Sequence, residues 1–367
     1  MLISPSPVKA AAPTPRRRPV RYARWDGVGR PFVVVESTTG EPGPGEVLVE
    51  VDLATVCGSD LHTAAGRRGG PAPSVLGHEQ VGRVLAVGAG AAPAVTGEQL
   101  APGARVVWSV TVSCGRCDRC HAGLEPKCRR LAKYGHEPLR EEWELSGGFA
   151  THVLLRPGTS VAVVGEHVPD AVAAPASCAT ATVAAVLRAP GRSLAGARVL
   201  VSGAGMLGLT ATAMASSRGA TVITVDPSSS RRDQALRFGA AAAVEVHAQA
   251  QEVDVAVELS GAPAAVAGCL GRLDVGGTLV LAGSVSPGPS VALDPEAVVR
   301  GLQTVVGVHN YRARDLADAV AFLQDHHHRY PFGDLVGAQH RLDEVDKAIE
   351  AATVRGAAPR QAIKPAA

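Results

Sequence analysis

Aromatic side chains are scarce in this chain: 5 Phe, 4 Tyr and 3 Trp among 367 residues. A pocket built as an aromatic cage is therefore not expected. An excess of one charge is missing too. The 36 Lys and Arg stand against 34 Asp and Glu, a formal net charge of +2. That is too little to draw nucleic acid or a membrane surface as a partner. No apolar run approaches the ~20 residues that cross a bilayer, and the N-terminus has no apolar signal core. Residues 1–19 are rich in Pro and Ala and carry Arg16, Arg17 and Arg18, which reads as a flexible extension. Seven cysteines without an export signal lead to the expectation of a reducing, cytoplasmic setting.

What the chain has in quantity is punctuation, with 41 Gly and 26 Pro, on a 46% hydrophobic background. The length supports two sizeable cores and the composition suits a turn-rich α/β protein. The first half reads as short strands: VLVEVDLATV (47–56), VGRVLAVG (81–88) and GARVVWSVTV (103–112), each bounded by Gly or Pro. This pattern predicts a distorted antiparallel barrel. Near residue 185 it changes to apolar strands alternating with helical stretches, which predicts a doubly wound parallel sheet with right-handed crossovers. Helical patterns follow after 311, and APRQAIKP reads as a strand returning to the first unit. The predicted division is an extension (1–19), a barrel unit (20–185) with a cysteine lobe (112–130), a nucleotide-binding unit (186–310) and a return segment (311–367).

Cys114, Cys117, Cys120 and Cys128 lie in SCGRCDRCHAGLEPKC. Two thiols three positions apart close on one face of a tight knuckle, and four thiolates complete the tetrahedral shell of structural zinc. Gly115 and Gly123 fall where the backbone must turn sharply. A disulfide framework or a redox C-x-x-C pair is disfavoured without secretion. An iron–sulfur cluster needs similar thiols and remains a competitor.

Gly203, Gly205 and Gly208 form GAGMLG, with Met206 and Leu207 between them. The motif is weak alone. Here it follows the strand ARVLVS and opens an apolar helical stretch, the context of a dinucleotide pyrophosphate site. Asp226 ends the next strand and is placed to accept from ribose hydroxyls, which favours NAD over NADP. Arg231 and Arg232 follow closely and would soften that preference. Cys57 (VCGSDLH), His78 (VLGHEQ) and Cys178 (PASCATAT) supply two thiolates and one imidazole. Three such ligands leave a fourth zinc position open, the catalytic pattern, although a single buried Cys or His is ordinarily only core packing.

The motifs CGSDLH (57–62), GHE (77–79), the four-cysteine lobe (114–128) and GAGMLG (203–208) occur in an order that resembles the zinc-dependent medium-chain alcohol dehydrogenase family, over about residues 30 to 365. The resemblance implies a GroES-like barrel split around an inserted Rossmann domain, two zinc ions per chain, NAD, and a homodimer or homotetramer acting on a small alcohol, aldehyde or ketone. It implies Cys57, His78 and Cys178 as catalytic zinc ligands, Glu79 as a carboxylate beside the metal that either exchanges onto it or stands behind its ligands, and Asp60 as the group orienting His78. Ser59 would receive the alcohol proton and His62 would pass it outward. Thr182 would pack against nicotinamide, and Arg360 would reach the pyrophosphate. Gly58 stands where some members carry an arginine that contacts the pyrophosphate, which implies faster NADH release.

Other readings stay open within this frame. Polyol or amino-alcohol dehydrogenases share these motifs, and KYGHE…WELSGGFATHV with SCATAT also resembles alcohol dehydrogenases proposed for phosphonate catabolism. A catalytically idle zinc- and nucleotide-binding protein is the reading of a different class. His309 and Asn310 close a strand expected to end over the cofactor, with helix capping by Asn310 as the alternative. Trp143 and Phe149 are candidate pocket walls. Cys269 reads as core, His326–His328 as an exposed helix end, His136 as a flank of the lobe near the substrate entrance, and 284–309 as a sheet-extending interface.

Overall fold

The alternation of Val with polar residues in 47–55 sends one set of side chains inward, and the strand Val47–Thr55 forms accordingly. It pairs antiparallel with Glu79–Val87, which pairs with Arg105–Val112. His152–Leu155 joins the first of these strands and Thr159–Val163 the third, so the sheet curls on itself. Val49, Val51, Val84, Val106, Trp108 and Val153 fill its interior. The C-terminal strand Arg360–Lys364 closes the return, with Ala362 opposite Thr55. This computed structural model describes residues 17–246 and 251–366. Most of the expected extension lies outside the described residues, but Arg18 and Pro19 already pair with Thr39 and Thr38 in the strand Arg18–Trp25. Order thus begins earlier than residue 20.

The second unit is a six-stranded parallel sheet: Arg198–Ser202, Thr221–Val225, Ala242–Val244, Val253–Glu258, Leu273–Leu281 and Thr304–Gly307. In space the strands run third, second, first, fourth, fifth, sixth. The order reverses between the first and fourth strands, and a crevice opens beyond their carboxyl ends. Arg198–Ser202 is apolar on both faces because helices cover both. Val199 and Val201 enter one core, while Leu200 meets Val266 and Cys269 in another. Cys269 is thus a packing residue.

The helix Ala179–Arg188 crosses the boundary read at 185. It packs on Ala313–His326, where Arg188 Nε meets Asp315 Oδ1 at 2.8 Å. Val81 and Val107 of the barrel share one core with Val199 and Val201 of the parallel sheet. Trp143 and Phe149 are buried within the barrel core rather than walling a pocket; the Trp143 indole donates to the Leu154 carbonyl at 2.9 Å. Among the described residues no single helix is long and apolar enough to cross a membrane.

Candidate metal and nucleotide sites

The lobe forms as its spacing predicts. Gly115 and Gly123 take φ of 67° and 71°, conformations a side chain would resist. Cys117 Sγ lies 3.5 Å from Cys120 Sγ and 3.9 Å from Cys128 Sγ, and Cys128 Sγ lies 3.5 Å from Cys114 Sγ. Four sulfurs at 2.3 Å from one ion stand ~3.8 Å apart, so the set fits a tetrahedral ion. Backbone amides of Arg129 and Cys120 bring Cys117 down to about 6, toward the thiolate a metal requires.

The second group is assembled by the fold. Cys57 ends the strand Val47–Thr55 two residues on, immediately before the short helix Gly58–Ala64. His78 immediately precedes the strand Glu79–Val87, and Cys178 precedes Ala179–Arg188. Their donor atoms lie within 4.8 Å of one another. A hydrogen bond from Cys178 holds the Cys57 thiol well below its ordinary value against the opposing effect of burial; the Arg360 and His78 charges add to it. Asp60 is fully buried, accepts from the Cys57 amide at 2.8 Å and lies 3.4 Å from His78 Nδ1. That turns Nε2 toward the other ligands, the arrangement of a carboxylate-oriented imidazole. Ser59 Oγ is 3.1 Å from His78 Nε2.

These groups face a cavity of about 280 Å³, also lined by His62, Thr182, Leu207, His309 and Asn310. His62 Nδ1 accepts from Arg67 Nε at 3.0 Å. Asn310 sits at φ 60°, its buried amide nitrogen without a partner among the described residues. Arg312, not Asn310, caps the helix that follows. His309 bonds to Lys127 of the lobe, and burial, followed by Lys133, Lys127 and Arg68, lowers its pKa to about 4.

The three glycines of GAGMLG differ in what demands them. Gly203 has φ 95°. A Cβ on Gly208 would lie 1.7 Å from the Gly203 carbonyl oxygen, whereas one on Gly205 meets nothing within 4 Å. Gly205 therefore leaves open space at the N-terminus of Met206–Ser217, where a pyrophosphate is received. Asp226 is buried, accepting from Ala204 N–H and Ser228 N–H, both at 2.8 Å. Arg231 is exposed, while Arg232 is tied to Glu245 at 3.0 Å.

One expected role changes, and one of two alternatives is selected. Arg360 is buried, and its guanidinium grips Glu79 at 2.6 and 2.7 Å, with Nη2 3.4 Å from Cys57 Sγ. It is held behind the thiolate rather than extended toward the pyrophosphate-binding turn. Glu79 is saturated by Arg360 and by Thr55 Oγ1 at 2.7 Å, and it does not join the ligand group. His78, its neighbour in sequence and a member of that candidate group, lies one residue before the strand that Glu79 opens.

Several cavity residues gave no signal in sequence. Tyr311 donates to the Ser177 carbonyl beside Cys178 and accepts from Val110 N–H at 3.1 Å. Arg68 and Lys133 also line the cavity. His136, read as a flank of the lobe in a loop near the substrate entrance, does line the cavity, with its ring 5.0 Å from that of His78.

Residues 43–170 match the alcohol dehydrogenase GroES-like domain and residues 207–325 the zinc-binding dehydrogenase domain. The chain therefore belongs to the zinc-dependent medium-chain alcohol dehydrogenase family, oxidoreductases acting on CH–OH groups. It is 33% identical over 283 residues to an L-threonine 3-dehydrogenase of Anaeromyxobacter dehalogenans, covering 72% of this chain and 76% of that protein. It is 30% identical to the 5-exo-hydroxycamphor dehydrogenase of Pseudomonas putida, over 84% of this chain and 89% of that one. An alcohol dehydrogenase structure from Thermotoga maritima superposes with a TM-score of 0.88 at 28% identity, over 95% and 100% of the two chains. A structure described as a zinc-binding dehydrogenase from Sinorhizobium meliloti, bound to NADP, gives 0.82 at 26% over the same shares.

Proposed function

We propose that the protein is an NAD-dependent dehydrogenase transferring hydride between a small alcohol and the cofactor, with one catalytic and one structural zinc. The observation that carries this is the shared cavity: Cys57, His78 and Cys178 face the same space as Leu207 of the glycine turn and His309 and Asn310. Zinc held by the three ligands supplies a Lewis acid for the alcohol oxygen, and NAD supplies the hydride acceptor. The protein's own residues do the rest. Asp60 fixes the imidazole, Ser59 takes the hydroxyl proton, and His62 hands it outward. Arg67 donating to His62 Nδ1 leaves the His62 proton on Nε2. Thr182 packs beside nicotinamide.

Asp226 supports NAD: a buried carboxylate at the ribose position repels a 2′-phosphate. Exposed Val299 and Leu302, both 71% accessible, beside the edge strand Thr304–Gly307 support a homodimer or homotetramer formed by sheet extension. A second reading, an amino-alcohol dehydrogenase, is favoured by the threonine dehydrogenase relative. Against it, among the described residues no Asp or Glu lines the cavity to receive an ammonium group.

The test is to incubate zinc-loaded protein with NAD or NADP and primary, secondary, polyol and amino alcohols, following reduced nicotinamide by absorbance, with and without chelator. Chelator-sensitive formation of NADH is expected. No signal from any alcohol or matching carbonyl compound would leave the idle binding protein as the better description.

A further inference from the structure

Two tyrosines of this chain bury a hydroxyl between two partners, and they differ in what those bonds connect. Tyr134 is fully buried. Its Oη accepts from the Arg156 N–H at 2.9 Å and bonds to Thr159 Oγ1 at 2.7 Å. All three residues belong to the barrel unit. Tyr311 is 6% exposed. Its Oη accepts from the Val110 N–H at 3.1 Å and donates to the Ser177 carbonyl. These bonds join the two units. Tyr311 ends the stretch 308–311 that follows the last parallel strand, Thr304–Gly307, while Val110 lies on the barrel strand Arg105–Val112. Burial pushes the Tyr311 hydroxyl well above its ordinary pKa, so its proton stays in place to be donated.

Ser177 is where two members of the candidate metal group meet. It directly precedes Cys178 and is itself fully buried. Its Oγ lies 3.2 Å from the His78 carbonyl oxygen and accepts from the Gln80 N–H at 3.3 Å. One serine thus carries Cys178 on its own backbone and holds the backbone of His78 by its side chain. The Tyr311 hydroxyl holds that serine. In the same stretch as Tyr311, Val308, His309 and Asn310 line the cavity. Asn310 takes a left-handed φ of 60°, and its buried amide nitrogen has no partner among the described residues. A strained backbone and an unmet donor both cost free energy. An acceptor entering the cavity can meet that donor, so the stretch interacts differently with an empty and an occupied cavity.

We infer that Tyr311 is a positioning residue whose hydroxyl ties the cavity-facing stretch 308–311 to Ser177, and so holds Cys178 and His78 in register with the bound nicotinamide. The inference rests on the proposed dehydrogenase reading. Hydride transfer is sensitive to a misplacement of about 1 Å between the reacting groups. A hydroxyl bonded across the two units sets that placement without touching either reactant.

The test is to load the full chain with cobalt(II) in place of zinc and to follow the change that NADH causes in its visible ligand-field bands. Native protein, Tyr311→Phe and Tyr134→Phe are compared. Each variant loses one buried hydroxyl, so Tyr134→Phe measures general loosening, and thermal melts of the two should fall alike. NADH is expected to shift the bands of the native chain and of Tyr134→Phe. Tyr311→Phe should bind NADH within about threefold of the native affinity by fluorescence titration, yet lose at least about half of the band shift. With zinc, NAD and the best alcohol, its kcat should fall at least about tenfold while the KM for NAD stays within about threefold. If Tyr311→Phe does not fold, Ser177→Ala, which cuts the tie to His78, carries the same expectation. If no alcohol turns over, yet the NADH-induced shift is present in the native chain and lost in Tyr311→Phe, the dehydrogenase reading fails and the tie stands. A native band shift in Tyr311→Phe, an equal loss in Tyr134→Phe, a defect confined to the KM of NAD, or native bands that ignore NADH would each overturn the inference.

Discussion

Cys114, Cys117, Cys120 and Cys128 come from one stretch of chain, whereas Cys57, His78 and Cys178 are gathered from a strand end, the residue before a second strand and the start of a helix. The lobe offers four candidate ligands and needs little behind them. Backbone amides at 3.3 Å, from Cys114 and Arg130 to Cys128 Sγ, serve its thiolates. The second set offers three candidate ligands, a cavity in front, and a wall of buried partners behind: Asp60 on His78, and Arg360 with Glu79 beside Cys57. A local knuckle suffices to hold an ion. Holding one with a position left open takes an over-determined scaffold, because the missing ligand can no longer fix the geometry.

The largest effect should separate the two clusters by activity. Cys57→Ala is expected to lower kcat by at least about 10³-fold, since a metal's polarisation is worth several kcal/mol. NAD binding, followed by fluorescence titration, should persist because GAGMLG is untouched. Loss of NAD binding together with the fold would show that Cys57 acts structurally. Next comes the wall behind the open site. Arg360→Met strands the Glu79 carboxylate, which is 0% exposed, and should cost about 3–5 kcal/mol in a denaturant melt. Combining it with Glu79→Leu should recover most of that loss. Additive losses would mean the pair does not act as a unit.

The lobe should respond differently. Cys120→Ser is expected to reduce zinc from two to one per chain by elemental analysis and to lower Tm by roughly 5 °C or more. Its cost falls on stability before kcat. The lobe is not isolated, however: Lys127 bonds to His309 at the cavity rim, and Arg312 approaches Glu125 at 3.6 Å. A kcat loss as large as that of Cys57→Ala would show that the lobe shapes the open site.

Legibility followed the same division. The lobe, the glycine turn and the return strand were readable because each is set by spacing or periodicity within about fifteen residues. The three-residue group was readable only as residue types beside a dinucleotide motif and a cysteine lobe, and through the resemblance, since no local rule links residue 57 to residue 178. Arg360 was misplaced because its loose match to a pyrophosphate-binding arginine gave no hint that buried Glu79 claims its guanidinium. Trp143 and Phe149 were misread as pocket walls because their apolar surface was claimed by the barrel interior. Arg68 and Lys133 gave no signal, as a lone cation in sequence looks like solvated surface until the fold shows which cavity it enters.

The smallest effect tests the outward proton path, a feature the lobe has no use for. His62 lines the cavity and is braced by Arg67, so its removal leaves the ligands and the glycine turn in place. His62→Ala should slow turnover by about tenfold, less than loss of a metal ligand, because a proton relay contributes part of one step while water supplies a slower substitute. Added imidazole should restore a fraction of the rate in His62→Ala and none in Cys57→Ala, which separates a missing proton carrier from a missing ligand. A His62→Ala enzyme with native kcat would mean the proton leaves from Ser59 directly to solvent. The open site would then differ from the lobe by its vacant coordination position alone.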